Sequence, residues 1–282
     1  MADVDAMSDA GSDDFRRPRK MCAKCLRPTP TGCFCASTPA QPINTRGALV
    51  IIRHPHEYKR PLSTSNVMTF CMHRCALVKA RAVKDQVAER IANASNVYVL
   101  YPTNNARILD EPDDETEHEQ DEQPKEQGAT PLLPQSSLRD VDSVLSGAAF
   151  VLVAFDGTWK EAREMHAKSL QALPSHAITV KLNENKKVED AHNLRVEPDE
   201  SCTLTALAAA RAVAALEAEY GGDATKVRTA TQRVVNHIIG IQRMFDPAMQ
   251  PHITKHLGGG KRQRVGGNHG ANSAKGGQVS DL

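Results

Sequence analysis

The chain has 282 residues, a net charge of +1, 40% hydrophobic residues, seven Cys and a single Trp. It is long enough to bury one good core or two small ones, has no apolar run of membrane-spanning length, and shows no secretory pattern at its N-terminus. The near-zero charge hides segregation. Residues 110–126 hold ten Asp or Glu and one Lys, a net of −9, which leaves +10 for the rest. The first fourteen residues carry five Asp and no Lys or Arg. An import peptide is Arg-rich and acid-poor, so a cytoplasmic or nuclear soluble protein is expected. Basic residues recur at 16–27, 53–60, 74–84 and 255–264, a distribution suited to the phosphates of an RNA.

In chain order, residues 1–15 are acidic and small and are expected to be disordered. The loop-rich stretch 20–40 follows, with Pro and Gly between four cysteines. Gly47–Arg53 reads as a buried strand and Lys79–Ala94 as a helix. Asn96–Tyr101 is a second strand closed by Pro102. Residues 110–130 read as a disordered acidic insert. Leu138–Leu145 suggests a short helix, residues 149–155 a central buried strand, and Ala177–Leu182 a further strand. Thr203–Tyr220 is an Ala-rich helix stopped by Gly221-Gly222, and Val227–Phe245 a second long helix. From Gly258 the chain is Gly-rich and basic, a disordered tail able to touch nucleic acid without shape of its own. Strands alternating with helices predict an α/β fold with a mainly parallel sheet. One domain is expected over 16–257.

Four of the seven cysteines crowd into Cys22-x-x-Cys25-x7-Cys33-x-Cys35. Two short-spaced thiolate pairs close in sequence suit one tetrahedral zinc ion with no open position, hence a structural site. A redox dithiol is the competing reading, but such a motif normally lies by a βαβ unit. Cys71 and Cys75, four residues apart as on one helix face with His73 between them, are read with Cys202 as core or incidental thiols.

The most informative segment is Phe155-Asp156-Gly157-Thr158-Trp159, where the central strand hands over to a helix beginning Lys160-Glu161-Ala162-Arg163. Ligands bind at that end of the strands in open α/β sheets. Helix capping explains Asp156 or Thr158 but not a large Trp beside them.

The Asp-Gly-Thr-Trp segment with Ala162-Arg163 resembles the signature of the DTW-domain family of tRNA-uridine aminocarboxypropyltransferases. Further matches follow in order: the four cysteines, His54-Pro55-x-Glu57 with Arg60 and Thr64, Tyr101-Pro102, and Arg195 with Ser201-Cys202-Thr203-Leu204-x-Ala206. The resemblance covers residues 20 to 245. It implies a SPOUT-like fold with a C-terminal knot, an exception to the unknotted rule. It also implies transfer of the 3-amino-3-carboxypropyl group of S-adenosylmethionine to N3 of a tRNA uridine, with tRNA as partner and neither membrane nor DNA. One departure is Thr205, where the family usually carries Glu.

The residues then take expected roles. Asp156 is the base or orienting group for N3, with Thr158 and Trp159 beside it in the catalytic set. Burial against Trp159 is expected to raise the Asp156 carboxyl toward a useful range. Trp159 stacks on a base or on the adenine of the cofactor, or packs in the core. Tyr101, Pro102, Gly157, Arg195 and Thr203 are assigned to the cofactor. Arg195 is the first candidate for gripping its carboxylate, and Arg163 the second. His54, Glu57, Arg60 and Arg163 are assigned to the substrate, with a loop-stabilising pair the other reading of His54 and Glu57. Zn2+ falls to Cys22, Cys25, Cys33 and Cys35. A SPOUT-type RNA methyltransferase and a non-catalytic zinc-containing RNA-binding adaptor are the alternatives.

Overall fold

The structure, a computed structural model, describes residues 20–59, 63–109, 141–183 and 204–245. The segments read above as disordered (1–15, 110–130 and 258–282) lie outside the described residues, as do Arg60, Arg195, Cys202 and Thr203. Among the described residues, six strands form one parallel sheet: β1 Ala48–Arg53, β2 Cys75–Lys79, β3 Val97–Leu100, β4 Arg107–Leu109, β5 Val151–Asp156 and β6 Ile178–Leu182, in the order β2-β1-β5-β3-β6-β4. Six α-helices among the same residues flank it: α1 Ser65–Cys71, α2 Asp85–Ala92, α3 Val141–Leu145, α4 Trp159–Ser169, α5 Thr205–Glu219 and α6 Thr225–Phe245. Among the described residues no helix is long and apolar enough to cross a membrane.

Strand side chains alternate between faces, and here each face builds its own core. Leu49 and Ile51 of β1, Leu152 and Ala154 of β5, and Tyr98 of β3 pack with α1, α5 and α6. Val50, Ile52, Val97, Val99, Val151, Val153 and Phe155 pack on the other face, with Ile91 of α2 and Met165 of α4. Strands buried on both faces read as continuous apolar runs. That is why β1 and β5 stand out in the sequence.

The expected helix over Lys79–Ala94 is shorter than read. Lys79 ends β2, the next five residues turn, and the helix begins at Asp85. The helical spacing seen in Cys71 and Cys75 is also corrected: Cys71 ends α1 and Cys75 opens β2. Both thiols are buried in the core, which favours the core reading over the incidental one.

Glycines set two ends of this framework. Gly221 adopts φ +69° after α5, its amide bonds the Ala218 carbonyl at 3.1 Å, and the Gly222 amide bonds Glu217 at 2.7 Å. That pattern closes the helix with a left-handed residue at no side-chain cost. Glu217, buried in α5, accepts the Gly47 amide at 2.6 Å and so fastens the helix to the start of β1. Gly47 itself cannot carry a side chain, since a Cβ there would lie 2.1 Å from the buried Phe150 ring. Gly47→Ala is expected to cost roughly 1–3 kcal/mol through overpacking, read as a lower midpoint in thermal melts.

Candidate active site and four-cysteine centre

β1 and β5 are neighbours whose chains leave in opposite ways. β1 passes to α1 on one face and on to β2, whereas β5 passes to α4 on the other face and on to β6. Between them lies the switch point of the sheet, and the carboxyl edge there is where such folds place their ligand crevice. Register places Arg53 opposite Asp156 there, and the His54 amide donates to the Asp156 carbonyl at 2.8 Å. Both Arg53 and Asp156 are buried. Arg53 Nε lies 3.5 Å from Asp156 Oδ2, and the Ser63 hydroxyl donates to the same oxygen at 3.3 Å. Arg53 Nη1 donates to Asn66 at 2.9 Å, and the guanidinium sits 4.7 Å from the centre of the Tyr58 ring. Arg53 Nε is a buried donor with no acceptor in hydrogen-bond geometry, the kind of group that a ligand oxygen satisfies.

On the opposite side of the strand ends, α4 begins with a capping box. Thr158 Oγ1 accepts the Glu161 amide at 3.3 Å, while Glu161 Oε2 accepts the Thr158 amide at 2.8 Å and its hydroxyl at 2.9 Å. Glu161 Oε1 lies 3.0 Å from His54 Nδ1 and 3.1 Å from His56 Nδ1. Burial pushes the Glu161 carboxyl up. The Thr158 amide and hydroxyl, with His56 and His54, pull it down further, to about 2. Burial likewise holds His54 below the ordinary imidazole value, against the pull of Glu161. Gly157 leaves room for this closeness, since a Cβ there would stand 3.1 Å from Glu161 Cβ.

Strand alternation thus divides the crevice. Arg53 and Asp156 face α1 with Ser63 and Asn66, whereas His54 faces α4 with Glu161. The polar contacts around Asp156 come from β1 and the residues leading into α1. Trp159, 38% exposed at the start of α4, offers an open ring rather than a core contact.

The four cysteines converge as expected from their spacing. Their sulfurs lie within 4.8 Å of one another, with Cys22–Cys35 and Cys25–Cys33 each at 3.7 Å. A tetrahedral ion with bonds of about 2.3 Å needs sulfurs about 3.8 Å apart, so the donor set fits zinc with little movement. The Cys22 thiol is lowered to about 6 by the Cys25 amide first, against burial. Burial pushes Cys25 and Cys35 up, Cys35 further by the neighbouring Cys25. A bound dication reverses that penalty. The knuckle is shaped by Leu26 at φ +55° and by the Gly32 amide on the Pro28 carbonyl at 2.8 Å. Phe34 roots the module in the core, edge-on to Phe70 at 5.3 Å. Arg27 lies 5.1 Å from the Phe34 ring centre and donates to the Ser63 carbonyl at 3.4 Å. Ser63 is the residue that holds Asp156.

Comparison with known families matches the DTW domain to residues 19–239. The chain belongs to the DTW-domain family. Among curated relatives, it is 22% identical over 261 residues to tRNA-uridine aminocarboxypropyltransferase A of Arabidopsis thaliana, covering 87% of this chain and 89% of that protein. It is 26% identical over 215 residues to tRNA-uridine aminocarboxypropyltransferase 2 of Drosophila melanogaster, covering 73% of this chain and 70% of that protein. No solved structure matches.

The residues of the DTW signature fall into groups. Asp156, Gly157, Thr158 and Trp159 line the carboxyl edge of β5 and the first turn of α4, and His54 lies at the end of β1. Glu57 is fully buried, its amide bonded to the His54 carbonyl at 2.9 Å. Tyr101 follows β3 on the α4 side and stacks on His166 at 4.0 Å, with Pro102 exposed beside it. Arg163 lies on the exposed face of α4. Four residues of the crevice were not singled out from the sequence: Arg53, His56, Ser63 and Glu161. Glu161 was legible as the fourth member of Thr-x-x-Glu, and Arg53 as the charged end of an otherwise apolar strand. Ser63 and His56 carry no such local signal.

Proposed function

We propose that this chain transfers the 3-amino-3-carboxypropyl group of S-adenosylmethionine to N3 of a uridine in tRNA. The observation that carries the reading is the buried Arg53–Asp156 pair at the carboxyl edge of the central strands, in a DTW-family chain whose relatives bear that name. S-adenosylmethionine supplies an activated carbon next to a sulfonium. The new bond forms from uridine N3 to that carbon, the carbon–sulfur bond breaks, and its electrons neutralise the sulfonium, which leaves as methylthioadenosine. Uridine N3 is a poor nucleophile until its proton leaves, so a positioned acceptor is required. Asp156 takes that role, with Ser63 and Arg53 fixing its orientation. The charge that then develops on the uracil oxygens has a donor in Arg53 Nε. Thr158 fixes the turn, and Trp159 offers its exposed ring to a base drawn out of its stack.

Tyr101, Pro102 and Gly157, with Arg195 and Thr203 from the segment outside the described residues, are assigned to the donor. Arg195 suits its carboxylate. His54, Glu57, Arg60 and Arg163 are assigned to the tRNA side. The SPOUT-type knot is expected in the C-terminal part of the chain, whose helices α5 and α6 pack on the α1 face of the sheet. The four-cysteine module holds structural zinc and presents Lys20 and Lys24, both exposed, to RNA phosphates.

The test is mass spectrometry of tRNA nucleosides after incubation with the purified full-length chain, unmodified tRNA and S-adenosylmethionine. The expected result is an aminocarboxypropyl uridine and an equal amount of methylthioadenosine. S-adenosylhomocysteine with a methylated nucleoside would replace this reading by a methyltransferase. No product at all, with tRNA still bound, would replace it by an RNA-binding adaptor.

A further inference from the structure

We propose that His54, His56 and Glu161 form a second cation site, separate from the four cysteines, for an exchangeable divalent transition metal of the zinc class. The three donor atoms lie within 4.8 Å of one another, and both imidazole Nδ1 atoms aim at one carboxylate oxygen, at 3.0 and 3.1 Å. Bonds of about 2.0–2.1 Å in a tetrahedral shell put donors about 3.3–3.4 Å apart. The two histidine–carboxylate separations are therefore a few tenths of an ångström from those of a filled site. The exposed His56 side chain has room to take up the difference.

Glu161 is set for this task. Its Oε2 is committed to the amide and hydroxyl of Thr158, so the carboxylate cannot swing away, and Oε1 is left facing the imidazoles. Such outer contacts are what orient a ligating carboxylate. The His56 amide also approaches His54 Nδ1, at 3.4 Å, so the loop between the two histidines folds back on the cluster. Pro55 joins the two histidines, and its fixed φ restricts how far they can separate.

The donor set selects the metal. Two imidazoles and one carboxylate favour zinc, cobalt, nickel or copper over calcium and magnesium, which prefer all-oxygen shells. Three protein ligands leave at least one open position, in contrast to the closed four-cysteine centre. His56 is 62% exposed, so the ion has a route in and out. The site lies on the α4 side of the strand ends, away from the Arg53–Asp156 pair, and its existence does not depend on the transfer reaction.

Cobalt(II) serves as the probe, added to full-length protein whose four-cysteine centre already holds zinc. The expected signal is a weak visible absorption band without the intense thiolate-to-metal band of cysteine coordination, together with a raised melting temperature. His56→Ala removes an exposed ligand, so it should leave the metal-free melting temperature unchanged. It should weaken cobalt binding at least ~10-fold, the scale of losing a ligand or its support. His176→Ala is the control. It deletes another exposed imidazole, one bonded to the Ala94 carbonyl at the opposite edge of the sheet, and should keep the band. Cobalt binding by His56→Ala as tight as by the parent would overturn the proposal. So would equal loss in both variants, or no visible band at all. In those cases the cluster is a hydrogen-bonded brace on the α4 cap.

Discussion

Asp156→Asn is expected to cut methylthioadenosine formation at least ~10²-fold, the usual scale for a lost general base. The substitution keeps size and still accepts the Ser63 hydroxyl, but it removes the charge that faces Arg53. Arg53 is 4% exposed, and a buried cation stripped of its partner is costly, by as much as about 3–5 kcal/mol. The variant should therefore melt at a lower temperature while remaining folded at assay temperature. Circular dichroism before the assay separates the two effects. Ser63→Ala supplies the graded comparison: it removes one contact to Asp156 Oδ2, leaves the ion pair, and should lower the rate by less. Arg195→Ala should act differently, weakening binding of S-adenosylmethionine before it changes the rate at saturation. Near-parental transfer by folded Asp156→Asn would remove Asp156 from the chemistry.

The contrast between what the sequence revealed of this crevice and what it hid has a physical origin. β1 and β5 were legible because a parallel strand covered on both faces is apolar throughout. α5 was legible because its Ala run and the Gly221-Gly222 stop are local signals. β2 and β4 were missed. β4 has three residues, two of them exposed, and so no periodicity to read. β2 borrowed a helical look from the spacing of Cys71 and Cys75, which span a helix end and a strand start. Asp156 and Thr158 were visible through the strand-to-helix handover. Their neighbours are non-local: Ser63 lies 93 residues from Asp156 and His56 lies 105 from Glu161. Only the register of β1 against β5 brings these pairs together. The expectation that Trp159 would bury Asp156 gave way for the same reason. Alternation along β5 turns Asp156 toward α1, while α4, with Trp159, lies on the other face.

Removing zinc should damage both the fold and the crevice. Purified chain is expected to carry about one tightly held zinc ion in the four-cysteine centre. Cys25→Ser replaces a ligand that is 4% exposed and packed with the core. Structural zinc sites in small peptides contribute on the order of 10–16 kcal/mol of apparent binding. That rivals the whole stability of a typical domain, about 5–15 kcal/mol. Cys25→Ser should therefore lose the ion and melt many degrees lower, or fail to accumulate as folded protein. A strong chelator applied to the parent chain gives the milder version of the same test. The consequence should reach Asp156 by a traceable route: without the ion the 22–35 loop loosens, Arg27 no longer holds the Ser63 carbonyl, and the Ser63 hydroxyl leaves Asp156 Oδ2. Arg27→Ala isolates that route, since it keeps all four cysteines. It should retain zinc and most of the melting temperature yet transfer more slowly, by less than Asp156→Asn. Metal-free parent protein with four freely titrating thiols and an unchanged melt would refute the zinc assignment. Full activity in Arg27→Ala would instead leave the zinc in place and break only its link to Asp156.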